Sequence, residues 1–337
     1  MTKRITLALA MIGLSSIAFA GAPGNNMVAP TGTPVIAPDS TGTWSFGLEA
    51  LYMESNTNFQ YATVDGGLND DGEFQFDNES ASNNWNWGGE VDVSYMFPGS
   101  SRDISASYTY LNQDGNDSVS APDVDGILDI AGADSLGTNE AEADVDQTLN
   151  AATLTFGQLL TIGDRVSLHP FGGVQFADID TTNKATYEND NEVTDVETVT
   201  GIYKEHSEFT GAGPRAGIDA AVHFGNNFSI VGTFAGALLV GNMQSDFNAA
   251  EVGFIPDDID NDSYTAVVPE FDAKLGLDYM YAFNPNTSMN IQVGYEVVNY
   301  FNAESNDFHD SFAVNSVDNT TDFNYNGPYL RLQLNVA

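Results

Sequence analysis

The chain is 337 residues long and carries 48 Asp and Glu against 9 Lys and Arg, a formal net charge of −39. That surplus of acid excludes nucleic acid as a partner, because a phosphate backbone would be repelled rather than neutralised. Hydrophobic content of 42%, with 21 Phe, 14 Tyr and 3 Trp, argues against a disordered polyanion, and the lack of cysteine excludes disulfides.

The chain opens Met1-Thr2-Lys3-Arg4, continues as an apolar run from Ile5 to Phe19, and reaches Ala18-Phe19-Ala20 before Gly21. A basic start, an apolar core too short to span a bilayer and a small-residue cleavage site mark residues 1–20 as a secretory signal peptide. Its removal takes Lys3 and Arg4 and no acid, so the charge falls from −39 to −41. Residues 21–42, with Pro30, Pro34 and Pro38 and no alternation, read as an extended periplasmic linker. Residues 43–337 are then one domain. The best later apolar run, Ile230 to Gly241, is short, rich in Gly and Ala, and alternates, so a spanning helix is not expected.

From Thr43 onward the pattern has period two, the signature of strands with one apolar face. Trp44, Phe46, Leu48, Ala50 and Tyr52 face one side, and Ser45, Gly47 and Glu49 the other. The stretch Trp85–Leu111 holds two such strands about the break Pro98-Gly99-Ser100: Trp85, Trp87, Val91, Val93, Tyr95 and Phe97 share one parity, with Glu90 and Asp92 on the other. At ~3.3 Å per residue the first strand spans roughly 40 Å, which a ~45° tilt shortens to roughly 28 Å, near the ~25 Å apolar band of a membrane barrel.

Strands are expected near 43–54, 85–97, 103–111, 146–160, 166–180, 208–224, 228–241, 268–283, 288–300 and 325–336. In the sixth, Ala216, Ile218, Ala220 and Val222 oppose Arg215, Gly217 and Asp219. In the eighth, Phe271 through Phe283 oppose Glu270, Asp272, Lys274, Gly276 and Asp278. The last sets Leu330, Leu332, Leu334 and Val336 against Arg331. The segment 146–160 alternates less cleanly, and His169-Pro170-Phe171 points to a bulge or an edge feature. Short connections (Pro98–Arg102, Thr161–Arg165, Gly225–Asn227, Asn284–Thr287) alternate with long acidic ones (Ser55–Asn84, Asn112–Asp144, Thr181–Glu205, Asn242–Tyr264, Phe301–Asp322).

This predicts an all-β fold: an antiparallel up-and-down transmembrane β-barrel of about ten strands, with 8–12 allowed, short periplasmic turns and long acidic extracellular loops. Phe59/Tyr61 and Phe74/Phe76 leave room for a further hairpin in the first long connection. Aromatic girdles are expected from Trp44, Tyr52, Trp85, Trp87, Tyr95, Phe97 and Phe283.

Inner-parity charges nominate the pore lining: Glu49, Glu90, Asp92, Arg215, Asp219, Glu270, Asp272, Lys274, Asp278, Glu296 and Arg331. Two readings compete. Each base pairs with an acid and fills a closed barrel, or the surplus acid lines a hydrated, cation-preferring pore. In 257–262, Asp258, Asp260 and Asp262 offer oxygens at alternate positions for a loop-bound divalent cation, but the Gly and closing Glu of an EF-hand are missing. No other cofactor is expected. His169, His206, His223 and His309 stand in no recognisable nucleophile motif, so the chain is read as a non-enzyme. Expected partners are outer-membrane lipid and lipopolysaccharide, small hydrophilic solutes or cations, and further copies of the chain.

The hairpin NWNWGGEVDVSYMFPGSSRDISASYTYL resembles the Legionella major outer-membrane proteins and their relatives. So do Gly42-Thr43-Trp44-Ser45-Phe46-Gly47-Leu48-Glu49-Ala50-Leu51-Tyr52-Met53, Leu149-Asn150-Ala151-Ala152-Thr153-Leu154-Thr155-Phe156-Gly157, His169-Pro170-Phe171-Gly172-Gly173 and Gly327-Pro328-Tyr329-Leu330-Arg331-Leu332. The resemblance implies a pore-forming, surface-exposed outer-membrane barrel that self-associates, and it carries no catalytic residues. The ending Asn335-Val336-Ala337 departs from the aromatic terminus of many bacterial barrels.

Overall fold

A computed structural model describes residues 42–56, 59–68, 74–81, 83–120, 124–126, 139–163, 165–191, 196–251, 257–260, 262–305 and 320–337. The expected signal peptide and all of the expected linker but Gly42 lie outside these residues. The described residues form strands and no helix: β1 (Thr43–Asn56), β2 (Gln60–Leu68), β3 (Phe74–Ser80), β4 (Asn86–Met96), β5 (Arg102–Ser120), β6 (Val124–Gly126), β7 (Glu140–Gln158), β8 (Leu160–Ile162), β9 (Val166–Asn191), β10 (Val196–Gly225), β11 (Phe228–Glu251), β12 (Asp257–Asp260), β13 (Tyr264–Asn284), β14 (Thr287–Ser305) and β15 (Thr320–Val336).

Ten of these close a barrel in the order β1-β4-β5-β7-β9-β10-β11-β13-β14-β15, each antiparallel to its neighbours, with β15 pairing back onto β1. Closure leaves no unpaired edge, which a bilayer would not tolerate. The short connections gather at one end. Between β10 and β11 only Asn226 and Asn227 turn the chain, with φ of 53° and 65°, the left-handed pair a two-residue hairpin turn demands. The pair His169-Pro170 produces no bulge: β9 stays in register with β10 from Val166 to Tyr187, and Pro170 faces outward opposite Ile218.

The strands run well past the expected bounds at the loop end. Residues 112–120 and 140–144 are paired strand rather than loop, and so are most of 181–205 and 242–251. Lys184 and Lys204, expected in a loop, sit directly opposite each other on β9 and β10. The reason is a change of solvent along each strand. On β9 the outer parity reads Val166, Leu168, Pro170, Gly172, Val174, Phe176 and then Asp178, Asp180, Thr182, Lys184. On β7 it reads Phe156, Leu154, Ala152 and then Asn150, Thr148, Asp146, Asp144, Glu142.

Inside, the order of polarity is reversed. Ala141, Ala143, Val145, Ala185, Tyr187, Tyr203, Phe247 and Ala249 are buried in the loop-end lumen, at the height where the outer face is acidic. A strand that leaves lipid for water needs polar residues outside, and its apolar residues then move to the interior.

The first long connection folds into this mouth. β2 pairs with β3 and β6 in a separate three-stranded sheet, the extra hairpin that the aromatic pairs allowed. Phe59, Tyr61 and Ala62 pack with Ala81 against the inner apolar face, and the Tyr187 hydroxyl donates to the Tyr61 carbonyl at 2.6 Å. Burial pushes the Tyr61 phenol up to about 12, with Asp117 and Glu79 adding to the rise.

Candidate functional site

The lumen beside the apolar band is built from inner-parity residues of all ten barrel strands. At its centre β1 sets Glu49 opposite Arg331 of β15 on one side and Glu90 of β4 on the other. Two carboxylates directly opposed repel each other, so the arrangement depends on bases reaching between them. Lys274 of β13 does so across the barrel: its Nζ donates to Glu49 Oε1 at 2.8 Å and lies 3.3 Å from Glu296 Oε1 and 3.8 Å from Glu90 Oε2. Arg331 reaches Asp92 Oδ1 at 2.6 Å, Glu49 Oε2 at 3.4 Å and Glu90 Oε1 at 3.7 Å. Gly47 makes room for this pair, since a Cβ there would run into the Asp92 carboxylate and the Arg331 guanidinium.

A second cluster adjoins the first. Arg215 Nη1 donates to Glu270 Oε2 at 2.9 Å and to Gln175 Oε1 at 2.8 Å, and its Nη2 contacts Asp272 Oδ2. Gln175 in turn donates to the Tyr300 hydroxyl at 3.0 Å. Nearer the turn end, His169 bridges two strands, with Nε2 2.7 Å from Asp103 Oδ1 and Nδ1 2.9 Å from Asp219 Oδ2. Gly157 clears space for that imidazole.

Glu49, Glu90, Asp92, Arg215, Asp219, Glu270, Asp272, Lys274, Glu296 and Arg331 therefore line one cavity of about 210 Å³. Asp278 does not. It is buried elsewhere in the lumen, accepting two hydrogen bonds from Asn290 Nδ2 at 3.1 and 3.0 Å. The parity argument missed Asp103, His169, Gln175 and Tyr300. The signal was present for Asp103 and Gln175, which occupy the inner parity of β5 and β9 as Glu90 does that of β4.

In the two adjoining clusters, six carboxylates (Glu49, Glu90, Asp92, Glu270, Asp272, Glu296) face three bases. Toward the loop end the next inner positions are apolar. Leu51, Met53, Leu111, Leu149, Ile179, Phe209, Leu239, Met243, Val268 and Phe323 are fully buried in a continuous layer. Each such Leu or Phe contributes ~1.5–3 kcal/mol by leaving water.

The expected girdle residues Trp44, Trp85, Trp87, Phe97 and Phe283 are exposed on the outer wall. Trp44 lies 4.7 Å from Tyr95 between ring centroids, and Tyr52 lies 4.8 Å from Trp87. Asp262 is exposed, while the side chains of Asp258 and Asp260 lie outside the described part of the structure.

Among solved structures, the chain is similar to the outer membrane protease OmpT from Escherichia coli, at 13% identity and a TM-score of 0.45, covering 90% of this chain and 98% of that one. It is similar also to the TodX deltaS2S3 mutant monoaromatic hydrocarbon channel, at 7% identity and a TM-score of 0.31 over 89% and 91% of the two chains. A Pseudomonas aeruginosa FadL homologue matches at 8% identity and a TM-score of 0.24 over 88% and 89%. No curated protein matches the sequence. The family model of the Legionella pneumophila major outer membrane protein precursor matches residues 36–336. With that match over nearly its whole length and a closed ten-stranded barrel, the chain is an integral outer-membrane protein and belongs to the Legionella major outer membrane protein family.

Proposed function

We propose that the protein is a narrow, cation-preferring outer-membrane pore for small hydrophilic solutes, without enzymatic activity. The observation that carries this reading is the charged cavity within the band, where six carboxylates outnumber three bases. A barrel made only to anchor the chain has no need to bury nine charged side chains, which an apolar filling would replace with no loss of stability. Planar bilayers doped with the refolded protein should show discrete conductance steps, with a reversal potential displaced toward the cation equilibrium value in a salt gradient. Silent membranes at high protein load would overturn the pore.

A second reading rests on the apolar layer above the cavity. Leu51, Met53, Leu149, Phe209 and Phe323 are buried there to 0–1% exposure, and this reading takes them to pack the lumen shut at that height. On this reading the protein is a closed barrel that acts at the cell surface through its acidic loop end. Excising residues 121–138 separates the two: a closed surface barrel loses adhesion and is silent in bilayers before and after, whereas a pore keeps its conductance.

A further inference from the structure

Two carboxylate oxygens of the cavity meet neither a hydrogen-bond donor nor a base. Arg215 occupies Asp272 Oδ2 and Lys274 faces Glu296 Oε1, whereas Asp272 Oδ1 and Glu296 Oε2 have no hydrogen-bond partner. Both residues are more than nine-tenths buried, at 5% and 4% exposure, and both line the cavity. They lie on adjacent strands: Glu296 pairs with Lys274, and Asp272 is the next inner residue along β13. Carboxylates at such diagonal positions are within reach of one another.

We propose that Asp272 and Glu296 form a binding site for one hard divalent cation, of the calcium or magnesium kind, inside the barrel. Two features favour an ion over water alone. A water molecule would satisfy the two bare oxygens but bring no positive charge to a low-dielectric wall in which carboxylates outnumber bases. The cavity's 210 Å³, against ~30 Å³ for a water molecule, also accommodates a cation that keeps part of its hydration shell beside two carboxylate ligands. The surrounding bases do not exclude it, because each is already committed to other carboxylate oxygens. The site rests on the reading of this lumen as accessible to water and ions, and it would occupy the path of a conducted cation.

Tyr300, Tyr325 and Tyr329 line the same cavity and supply a probe, since bound terbium luminesces when a nearby tyrosine is excited. Terbium titrated into the refolded full-length protein in detergent should give a saturable, tyrosine-sensitised signal that calcium displaces. Asp272→Asn and Glu296→Gln should each weaken it by about tenfold or more, whereas Asp178→Asn on the outer wall should leave it unchanged. A signal insensitive to both lumenal variants, or equally sensitive to Asp178→Asn, overturns the site. If neither lumenal variant folds, the wild-type protein decides by itself: no calcium-displaceable signal refutes the proposal. Terbium binding in a protein that never conducts supports the site while refuting the pore, and cation-selective conductance without terbium binding does the reverse.

Discussion

Lys274 shows how one side chain can hold several strands together. It contacts carboxylates from β1, β4 and β14 and sits 5.6 Å from the centre of the Tyr329 ring. Removing the amine leaves those acids facing one another in a buried site, so Lys274→Met should destabilise the barrel by about 3–5 kcal/mol. The shift in urea midpoint measures this, and adding Glu296→Gln should recover part of the loss. Were Lys274→Met neutral, the base would be dispensable to the cluster. The charged residues were legible because strand parity assigns an inner or outer face without knowledge of distance. Parity says nothing about which inner residues meet across the lumen, so the approach of Lys274 to Glu49 over 225 positions of sequence had no local signature. His169 was obscured for a different reason: Pro170 beside it suggested a bulge or an edge feature, yet the strand keeps its register because Pro170, which has no N–H to donate, falls in the gap between the Gly157–Phe171 and Leu160–Leu168 pairs.

At the level of the strand, the reversal of polarity explains both what was legible and what was hidden. Within lipid the alternation is strong, since outer residues must be apolar and inner ones are free to be charged. Past Phe176 on β9 or Ala152 on β7 the contrast reverses, with small residues such as Ala141 and Ala143 inside, so the same period reads as an acidic loop. The boundary can be tested on β15, whose outer parity runs Asn324, Asn326, Pro328, Leu330, Leu332, Leu334. Leu332→Arg should destabilise the folded barrel in lipid by ~2–4 kcal/mol and Asn324→Arg by only ~0–1 kcal/mol. Reversible unfolding from vesicles would report both, and equal penalties would mean the band has been placed wrongly.

Across the whole molecule, strand number and the alternation of short and long connections were readable from the sequence, because turn residues punctuate a barrel at regular intervals. The packing of β2 and β3 into the mouth was not, since it depends on a tertiary match between Phe59, Tyr61 and the inner apolar wall. That hairpin and the apolar layer lie in series along the lumen. Replacing residues 59–81 with a short Gly/Ser linker should raise single-channel conductance if the mouth limits the current, and leave it unchanged if the layer around Phe209 does. The polarity reversal has one more consequence, for how the barrel reaches a unique alignment. Alternation by itself forbids slips of one residue but is blind to slips of two, which return every side chain to its original face. A two-residue slide of β9 toward its own amino-terminal, turn end would carry Asp178 into hydrocarbon and drop Ala185 and Tyr187 out of the apolar mouth. The change of solvent along each strand therefore works as a depth gauge, selecting among alignments that the period-two pattern leaves degenerate.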